Sequence, residues 1–537
     1  MPLELTLGNL LDQAAGQKPH SKALVDLPTN TRLTYAELAQ KTDLLARGFI
    51  TLGLKPGDHL ALWAPNQPQW LICQFACAKA GLILVNLDIS LDEKGLRFIL
   101  QNAGAKALVL AKGIKENEFL NTLRSLRKKP AGQGLPSGVT HLILTEKDLN
   151  SALPCLEDIA VKAEQSPQGE LKKRMRAQSP QDQSSLIYTS GTTGRPKGVM
   201  LSHKGLINTS LAAAKIQGLD HKDKLLITVP LSHMFGCICL TLPGILAQSC
   251  LIIPSRIPEP QATLKAAHQE KATAIYGAPT SFMALMEQPN YRPEMLAGLR
   301  TGIMAGAVCP LEVMQKVVNQ MGIKGILIGY GQTEASSWIS LTRPDDPLEL
   351  RVSTVGRPID GVEVVISDPE TGRPLPRGSI GEIRARGLNM LGYKGLFRVT
   401  RETLDQEGWL LTGDLGAMDE NGYLRIMGRV KEAILRDNQV VFPSRIEAVL
   451  LEHPQVADAQ AFAVTTKDQR QEVAVWLRVL SGDKVDICEI KKFCAQRLQP
   501  IEQPEHYKIV ENFPMTALGK PKKFIMRKQF MEELGLT

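Results

Sequence analysis

The sequence predicts an α/β protein with a large N-terminal domain of two α/β sheets and a smaller α+β C-terminal domain. Three observations carry that expectation. Over the first 110 residues, apolar runs of strand length alternate with amphipathic runs of helix length, the pattern of parallel sheets covered by helices. The same rhythm returns between residues 184 and 335. After about residue 345 the runs shorten and are punctuated by Gly, Pro and Asp, which predicts a small, barrel-like antiparallel β region.

Taken in order, Thr34 opens the first amphipathic stretch as an N-cap, with Glu37 three residues on as its capping-box partner. His59–Trp63 reads as a buried strand, 69–80 as a helix, and 82–86 and 107–110 as strands. Residues 112–183 are less regular, carry Pro, Gly, Gln and two basic clusters, and are expected to include a surface excursion. Strands are expected at 186–189, 225–228, 272–276 and 326–329, and then at 362–367, Gly381–Arg386 and 423–427. The expected domains are 1–428, with its β-rich part at 345–428, and 429–537, a segment long enough to fold alone.

Composition narrows the class. The chain has 537 residues, 43% hydrophobic and 22% charged, which suits a globular core and excludes disorder and collagen. The net charge is +8, but the basic residues form short separate clusters, at 124–129 and 172–176, among few aromatics. That argues against nucleic acid as a partner, while a polyanionic small molecule suits the sign. Nine cysteines are scattered without a second pair at zinc spacing, and read as buried free thiols in a reducing compartment. The start of the chain has an early Glu4 and no basic segment. The longest apolar stretch, 71–87, is broken by Gln74, Lys79 and Asn86. A cytoplasmic protein without a signal peptide or integral membrane segment is therefore expected.

The most informative stretch is a short apolar strand that runs into a glycine-rich loop, Thr189-Ser190-Gly191-Thr192-Thr193-Gly194-Arg195-Pro196-Lys197-Gly198. Its glycines let backbone N–H groups approach an anion, its four hydroxyls add donors, and Lys197 adds charge, the chemistry a polyphosphate needs. It is not the common P-loop, because Pro196 stands where that loop requires Gly and Gly198 replaces the Ser/Thr after Lys. It also lacks the GxGxxG of a dinucleotide fingerprint.

This string resembles the phosphate-binding signature of the adenylate-forming (AMP-binding) enzymes, most of all the acyl-CoA synthetases that act on fatty or aryl acids. Gly329-Tyr330-Gly331-Gln332-Thr333-Glu334 is similar to a second family string. The resemblance implies Tyr330 against adenine, Gly331 and Gln332 in the nucleotide site, Thr333 on the α-phosphate, and Glu334 holding Mg²⁺ with Thr189. Ala305-Gly306-Ala307 resembles the adenine-edge segment, so Gly306 and Ala307 join the site. Thr412-Gly413-Asp414 and Gly428-Arg429-Val430-Lys431 imply that Asp414 accepts from the ribose hydroxyls, that Arg429 reaches the same sugar or the phosphates, and that Lys431 is the hinge of a mobile small domain. Asn438, after Asp437, replaces the glycine usual near that hinge.

Pro514 to Lys520 is similar to the C-terminal catalytic-lysine motif, here followed by Pro521 rather than an aliphatic residue. Pro230 to Gly236 resembles the acyl-pocket segment, with His233 beside the carboxylate or the acceptor channel. Phe235, Gly236, Ser336 and the 275–281 segment would line the pocket. No Asp stands in 230–240 to hold the ammonium of an amino acid. The implied enzyme uses ATP and Mg²⁺ to turn a carboxylic acid into acyl-AMP, releases pyrophosphate, and forms a thioester with CoA. An acyl carrier protein is the alternative acceptor. Lys520, Lys197 and Glu334 would be catalytic. A non-catalytic binding module would not be expected to keep Lys197, Glu334, Asp414, Arg429 and Lys520 together.

Overall fold

A computed structural model describes residues 2–115, 117–130, 132–167, 169–189, 196–436, 439–480, 485–515 and 521–536. By contacts the chain divides into two compact units, Met1–Val364 with Ala385–Leu410, and Val365–Arg384 with Leu411–Thr537.

Unit 1 contains two large sheets. The seven-stranded sheet runs in the order Gly392–Tyr393, Lys197–Ser202, Gln183–Thr189, Ile83–Asn86, His59–Trp63, Ala105–Leu110, His141–Leu144. Its last five strands are parallel. All five residues of His59–Trp63 are buried, as a central parallel strand covered on both faces requires. The nine-stranded sheet has six parallel strands, from Gly325–Gln332 to Lys22–Asp26, and continues past Gly325–Gln332 into the antiparallel Ser337–Leu341.

Alternation along these strands divides the apolar side chains between two cores. Leu24, Leu225, Leu251, Tyr276, Ile303 and Leu327 join the large core that also holds Leu60, Val85 and Leu186 of the other sheet. Their neighbours Val25, Leu226, Ile252, Ile275, Met304 and Ile326 face a second core with Leu264, Phe282 and Val317. A register slip of one residue would exchange the two sets, so the register is strongly specified. The Trp63 and Phe119 rings stack with centroids 4.0 Å apart. The capping box is present: the Thr34 hydroxyl accepts from the Glu37 N–H, and Glu37 accepts from that of Thr34. Fully enclosed Lys79 places its ammonium against Asp12 and Asp43, tying three helices together.

Unit 2 has a four-stranded sheet in the β-rich stretch, a two-stranded ladder, and a three-stranded sheet of Val456–Thr465, Gln471–Val479 and His506–Ile509. Here too alternate residues part: Val473, Val475 and Leu477 face one core, and Ala474 and Trp476 another.

Two features were not legible in the sequence. Within residues 112–183, expected to be less regular, His141–Leu144 pairs in parallel with Ala105–Leu110 as a sheet edge, and the helices Glu118–Lys128, Leu156–Val161 and Glu170–Ala177 form. A four-residue apolar run is too short to reveal its period, and pairing alone makes it a strand. Contacts alone also group the chain otherwise than by position relative to 428/429. Val365–Arg384 and the strand pair Leu410–Met418 and Leu424–Arg429 cluster mainly with the C-terminal residues, since their ladder hydrogen bonds join them to one sheet. Among the described residues, no helix is long and apolar enough to cross a membrane. Of nine free cysteines eight are buried and Cys488 is exposed. Burial pushes the Cys237 and Cys309 thiols up to about 12, which leaves them unreactive.

Candidate active site

The glycine-rich loop joins two antiparallel strands of the seven-stranded sheet, Gln183–Thr189 and Lys197–Ser202, with Thr189 paired opposite Lys197. Ser190, Gly191, Thr192, Thr193 and Gly194 lie outside the described residues. The strand after the loop runs close to its partner: a Cβ at Gly198 would lie 3.0 Å from the Tyr188 ring.

Tyr330, Gly331 and Gln332 end the strand Gly325–Gln332, past the carboxyl ends of its parallel neighbours, where open α/β sheets collect ligands. At Gly331 a Cβ would meet Ser337 O at 1.8 Å, so no other residue fits. Gln332 Nε2 is buried with no hydrogen-bond partner among the described residues, a donor held ready for an acceptor. Thr333 is buried and Glu334 half-buried. Gly306, with φ +89° and open space at its Cβ position, and Ala307 are exposed just beyond the strand Thr301–Met304.

One residue here was missed by sequence reasoning. The Tyr393 hydroxyl donates to Glu334 Oε1 at 2.7 Å. Lys197 Nζ lies 3.4 Å from the same hydroxyl and 4.5 Å from the centre of its ring. The Met390 N–H donates to Glu334 O at 2.8 Å. Burial, then the charge and hydrogen bond of Glu334, hold the Tyr393 phenol well above its usual range, so it stays a proton donor. No string around Gly392-Tyr393 signals this, because its partners stand 59 and 196 residues away.

Glu334 and Thr189 offer a carboxylate and a hydroxyl, hard oxygen donors that fit a Mg²⁺ taking its remaining ligands from phosphates and water. Among the described residues no group of three or more His, Cys, Asp or Glu could hold a metal.

On the acyl side, His233 Nδ1 accepts from the Phe235 N–H at 3.1 Å. The neutral ring therefore carries its proton on Nε2. Gly236 packs where a Cβ would lie 2.2 Å from Pro230 O. Phe235 meets Tyr276 and Trp338 edge-on at centroid distances of 6.3 and 5.8 Å. A cavity of about 250 Å³ is lined by Ile275, Tyr276, Thr280, Ser281, Phe282 and Leu285, among others. His233, Phe235, Gly236 and Ser336 do not line it, whereas Tyr276 lines it and meets Phe235. Ser336 is fully enclosed against Gly205, and its carbonyl accepts from Thr209 Oγ1 at 2.9 Å. A second cavity, of about 540 Å³, is lined by charged residues such as Arg174 and Asp182. It opens at the amino ends of the parallel strands, beside Gly57, Ile83 and Gln183, away from the nucleotide residues.

In unit 2, Asp414 and Arg429 face each other in antiparallel register and form an ion pair, Arg429 Nε to Asp414 Oδ1 at 2.9 Å. Asp414 is buried, while the Arg429 side chain is about half exposed. Nearby, burial raises the Glu382 carboxyl above its usual range, and the Gly413 N–H donates to it at 3.1 Å. Lys431 is exposed in the short turn Val430–Glu432. Asp437, Asn438 and Lys520 lie outside the described residues. Flanking Lys520, Met515 and Pro521 are bridged, and the Lys522 N–H donates to Pro514 O at 2.7 Å.

Comparison with known proteins follows the same lines. Residues 11–394 match the family described as AMP-binding enzyme, and residues 445–520 its C-terminal domain. Over 541 residues the chain is 36% identical to "Putative acyl-CoA synthetase YngI" of Bacillus subtilis (strain 168), covering 99% of this chain and 98% of that one. It is 32% identical over 544 residues to the mitochondrial medium-chain acyl-CoA ligase ACSF2 of Mus musculus, covering 99% and 88%. Among solved structures, ATP-bound MatB from Rhodopseudomonas palustris superposes with a TM-score of 0.85 at 24% identity, covering 98% and 99%. The anthranilate CoA ligase AuaEII with anthranoyl-AMP does so with 0.84 at 23%, covering 100% and 99%. At those identities the two structures speak for the fold.

Proposed function

This chain belongs to the AMP-binding enzyme family, and from that premise we propose that it is an AMP-forming acid–thiol ligase that activates a fatty acid of medium length and transfers the acyl group to CoA. The observation that carries the reading is the polar chain Lys197–Tyr393–Glu334, a cation and a carboxylate fixed together at the base of a glycine-rich loop.

A carboxylate is a poor acyl donor because its leaving group would be oxide. In the proposed first step a carboxylate oxygen attacks the α-phosphorus of ATP, the bond to pyrophosphate breaks, and acyl-AMP forms. Negative charge accumulates on phosphoryl oxygens, and catalysis consists of meeting it with fixed donors and cations. Lys197, Thr333 and the 189–194 loop supply these, with Tyr330, Gln332, Gly306 and Ala307 around the base. Mg²⁺, held by Glu334 and Thr189, neutralises phosphate charge when bound. Asp414 accepts from the ribose hydroxyls beside Arg429, and the Lys520 ammonium bridges the carboxylate and the α-phosphate. His233, with its proton on Nε2, can donate to the substrate carboxylate. In the second step a thiol attacks the acyl carbonyl and AMP leaves. The segment that follows Lys431 turns between the two steps, which withdraws Lys520.

One observation supports an acid of medium length: the mammalian relatives carry the name medium-chain. The test is pyrophosphate release from ATP with short, medium, long and aromatic carboxylates, with and without CoA. A maximum at medium length, with adenylate consumed on adding CoA, is expected. No acid-dependent release would overturn the reading, and adenylate consumed only by an acyl carrier protein would replace CoA as acceptor.

A further inference from the structure

We propose that Tyr393 is a positioning residue that presents Glu334 and Lys197 to the nucleotide as one preassembled unit; this rests on the adenylation reading above. Glu334 follows the last parallel strand of the nine-stranded sheet, and Lys197 begins a strand of the seven-stranded sheet. Neither strand pairs with the other. The Tyr393 hydroxyl joins the two. Its single proton goes to Glu334 Oε1 at 2.7 Å, which leaves a lone pair for the Lys197 ammonium at 3.4 Å, and the ring lies under the same ammonium.

Tyr393 can serve as a reference point because it is itself fixed. It is 3% exposed and is paired with Val199 on the strand that Lys197 begins. Its N–H donates to Thr400 Oγ1 at 2.9 Å. On its two sides, the Lys394 N–H donates to Gly198 O and the Met390 N–H to Glu334 O, each at 2.8 Å. Residues 390–394 therefore clamp the backbone of Glu334 and that of Gly198 to one short segment, with Tyr393 at its centre. Glu334 and Lys197 are flexible side chains that would otherwise lose rotamer freedom when the nucleotide binds. Fixing them beforehand removes that cost from binding.

The test is Tyr393→Phe, which keeps the ring, its burial and the strand hydrogen bonds and removes only the hydroxyl. Calorimetric binding of Mg-ATP to the full chain is the primary readout, and acid-dependent pyrophosphate release is the second. Loss of one hydrogen bond to a charged group predicts binding about tenfold weaker. The KM for ATP should rise in parallel, with the KM for the acid unchanged. Because Tyr393 acts in part through Glu334, Tyr393→Phe should cost less Mg-ATP affinity in the E334Q background than in the wild type, the remainder being its effect on Lys197.

Unchanged Mg-ATP binding in Y393F, or fully multiplicative losses in the double variant, would overturn the assignment. A wild-type protein that binds Mg-ATP but releases pyrophosphate with no acid would sink the adenylation reading and leave the binding comparison to decide on Tyr393. A wild type that binds no Mg-ATP would overturn both.

Discussion

Two charged pairs in this molecule are assembled in opposite ways. Asp414 and Arg429 of unit 2 lie on consecutive strands, and ladder register alone sets one against the other at 2.9 Å. Glu334 and Lys197 of unit 1 lie at the ends of strands in different sheets, and the Tyr393 hydroxyl reaches both. The first pair is local and half open to water. The second is built by tertiary packing. A local pair survives as long as its hairpin does, whereas a tertiary pair depends on every element that brings its members together.

The largest effect that would separate the two units chemically is expected at Lys520. Lys520→Ala should slow adenylate formation about a thousandfold, the loss typical of removing a group that stabilises transition-state charge. Thioester formation from supplied acyl-AMP should be spared. Equal loss in both half-reactions, followed by rapid quench, would remove the hinge about Lys431.

Acid should act in opposite directions on one buried group in each unit, His203 and Glu382. Burial holds the His203 ring down at about 4, with the charge of Asp182 opposing, and its Nδ1 accepts from the Leu7 N–H at 3.1 Å. Below the unfolded value near 6.5 the unfolded chain binds a proton that folded unit 1 refuses. Stability from this group is therefore full above about pH 6.5 and is lost as pH falls toward 4, by about 3 kcal/mol in all. Glu382 in unit 2 has a raised carboxyl, so its burial costs stability at neutral pH and that cost vanishes in acid. Melting curves between pH 7 and 4 should flatten in His203→Gln, and Glu382→Gln should stabilise unit 2 at pH 7. A pH dependence unchanged in His203→Gln would assign the acid sensitivity to other groups.

Smaller effects should follow at the local pair. Asp414→Asn leaves the register intact, so it should cost no more than about 1 kcal/mol of stability, as expected for a pair with one partner half exposed. The KM for ATP should nonetheless rise about tenfold, since a charged acceptor for the ribose is lost. A large stability loss with an unchanged KM would make the pair purely structural. Smallest of all, Thr34→Ala removes one N-cap far from either pair. It should lower stability by about 1 kcal/mol without altering catalysis, as measured by denaturant unfolding.

Much of the fold was legible because local chemistry writes it directly. Thr34 and Glu37 announce their capping box, and the buried runs at His59–Trp63 and Gly381–Arg386 coincide with the observed strands. His141–Leu144 was not legible, since four apolar residues have no measurable period and become a strand only by pairing with Ala105–Leu110. Nor was the grouping of Val365–Arg384 with the C-terminal residues, because hydrogen bonds between strands distant in sequence leave no mark in composition. At the site, residues carried by strings were legible, from Thr189 to Lys197 and from Tyr330 to Glu334. Tyr393 belongs to no such string.

The sequence by itself determined the kinds of element, the glycines that loop and strand contacts demand, and the inventory of phosphate-binding, acidic and basic groups, because these follow from backbone sterics and side-chain chemistry within a few residues. Only the tertiary structure decided which groups work together. It put a buried phenol between a cation and a carboxylate, brought Tyr276 against Phe235 at the wall of a cavity, and enclosed Ser336 away from that cavity. Those are relations between sheets and packed helices, and they arise when two apolar faces close on a shared core rather than from any neighbouring residue.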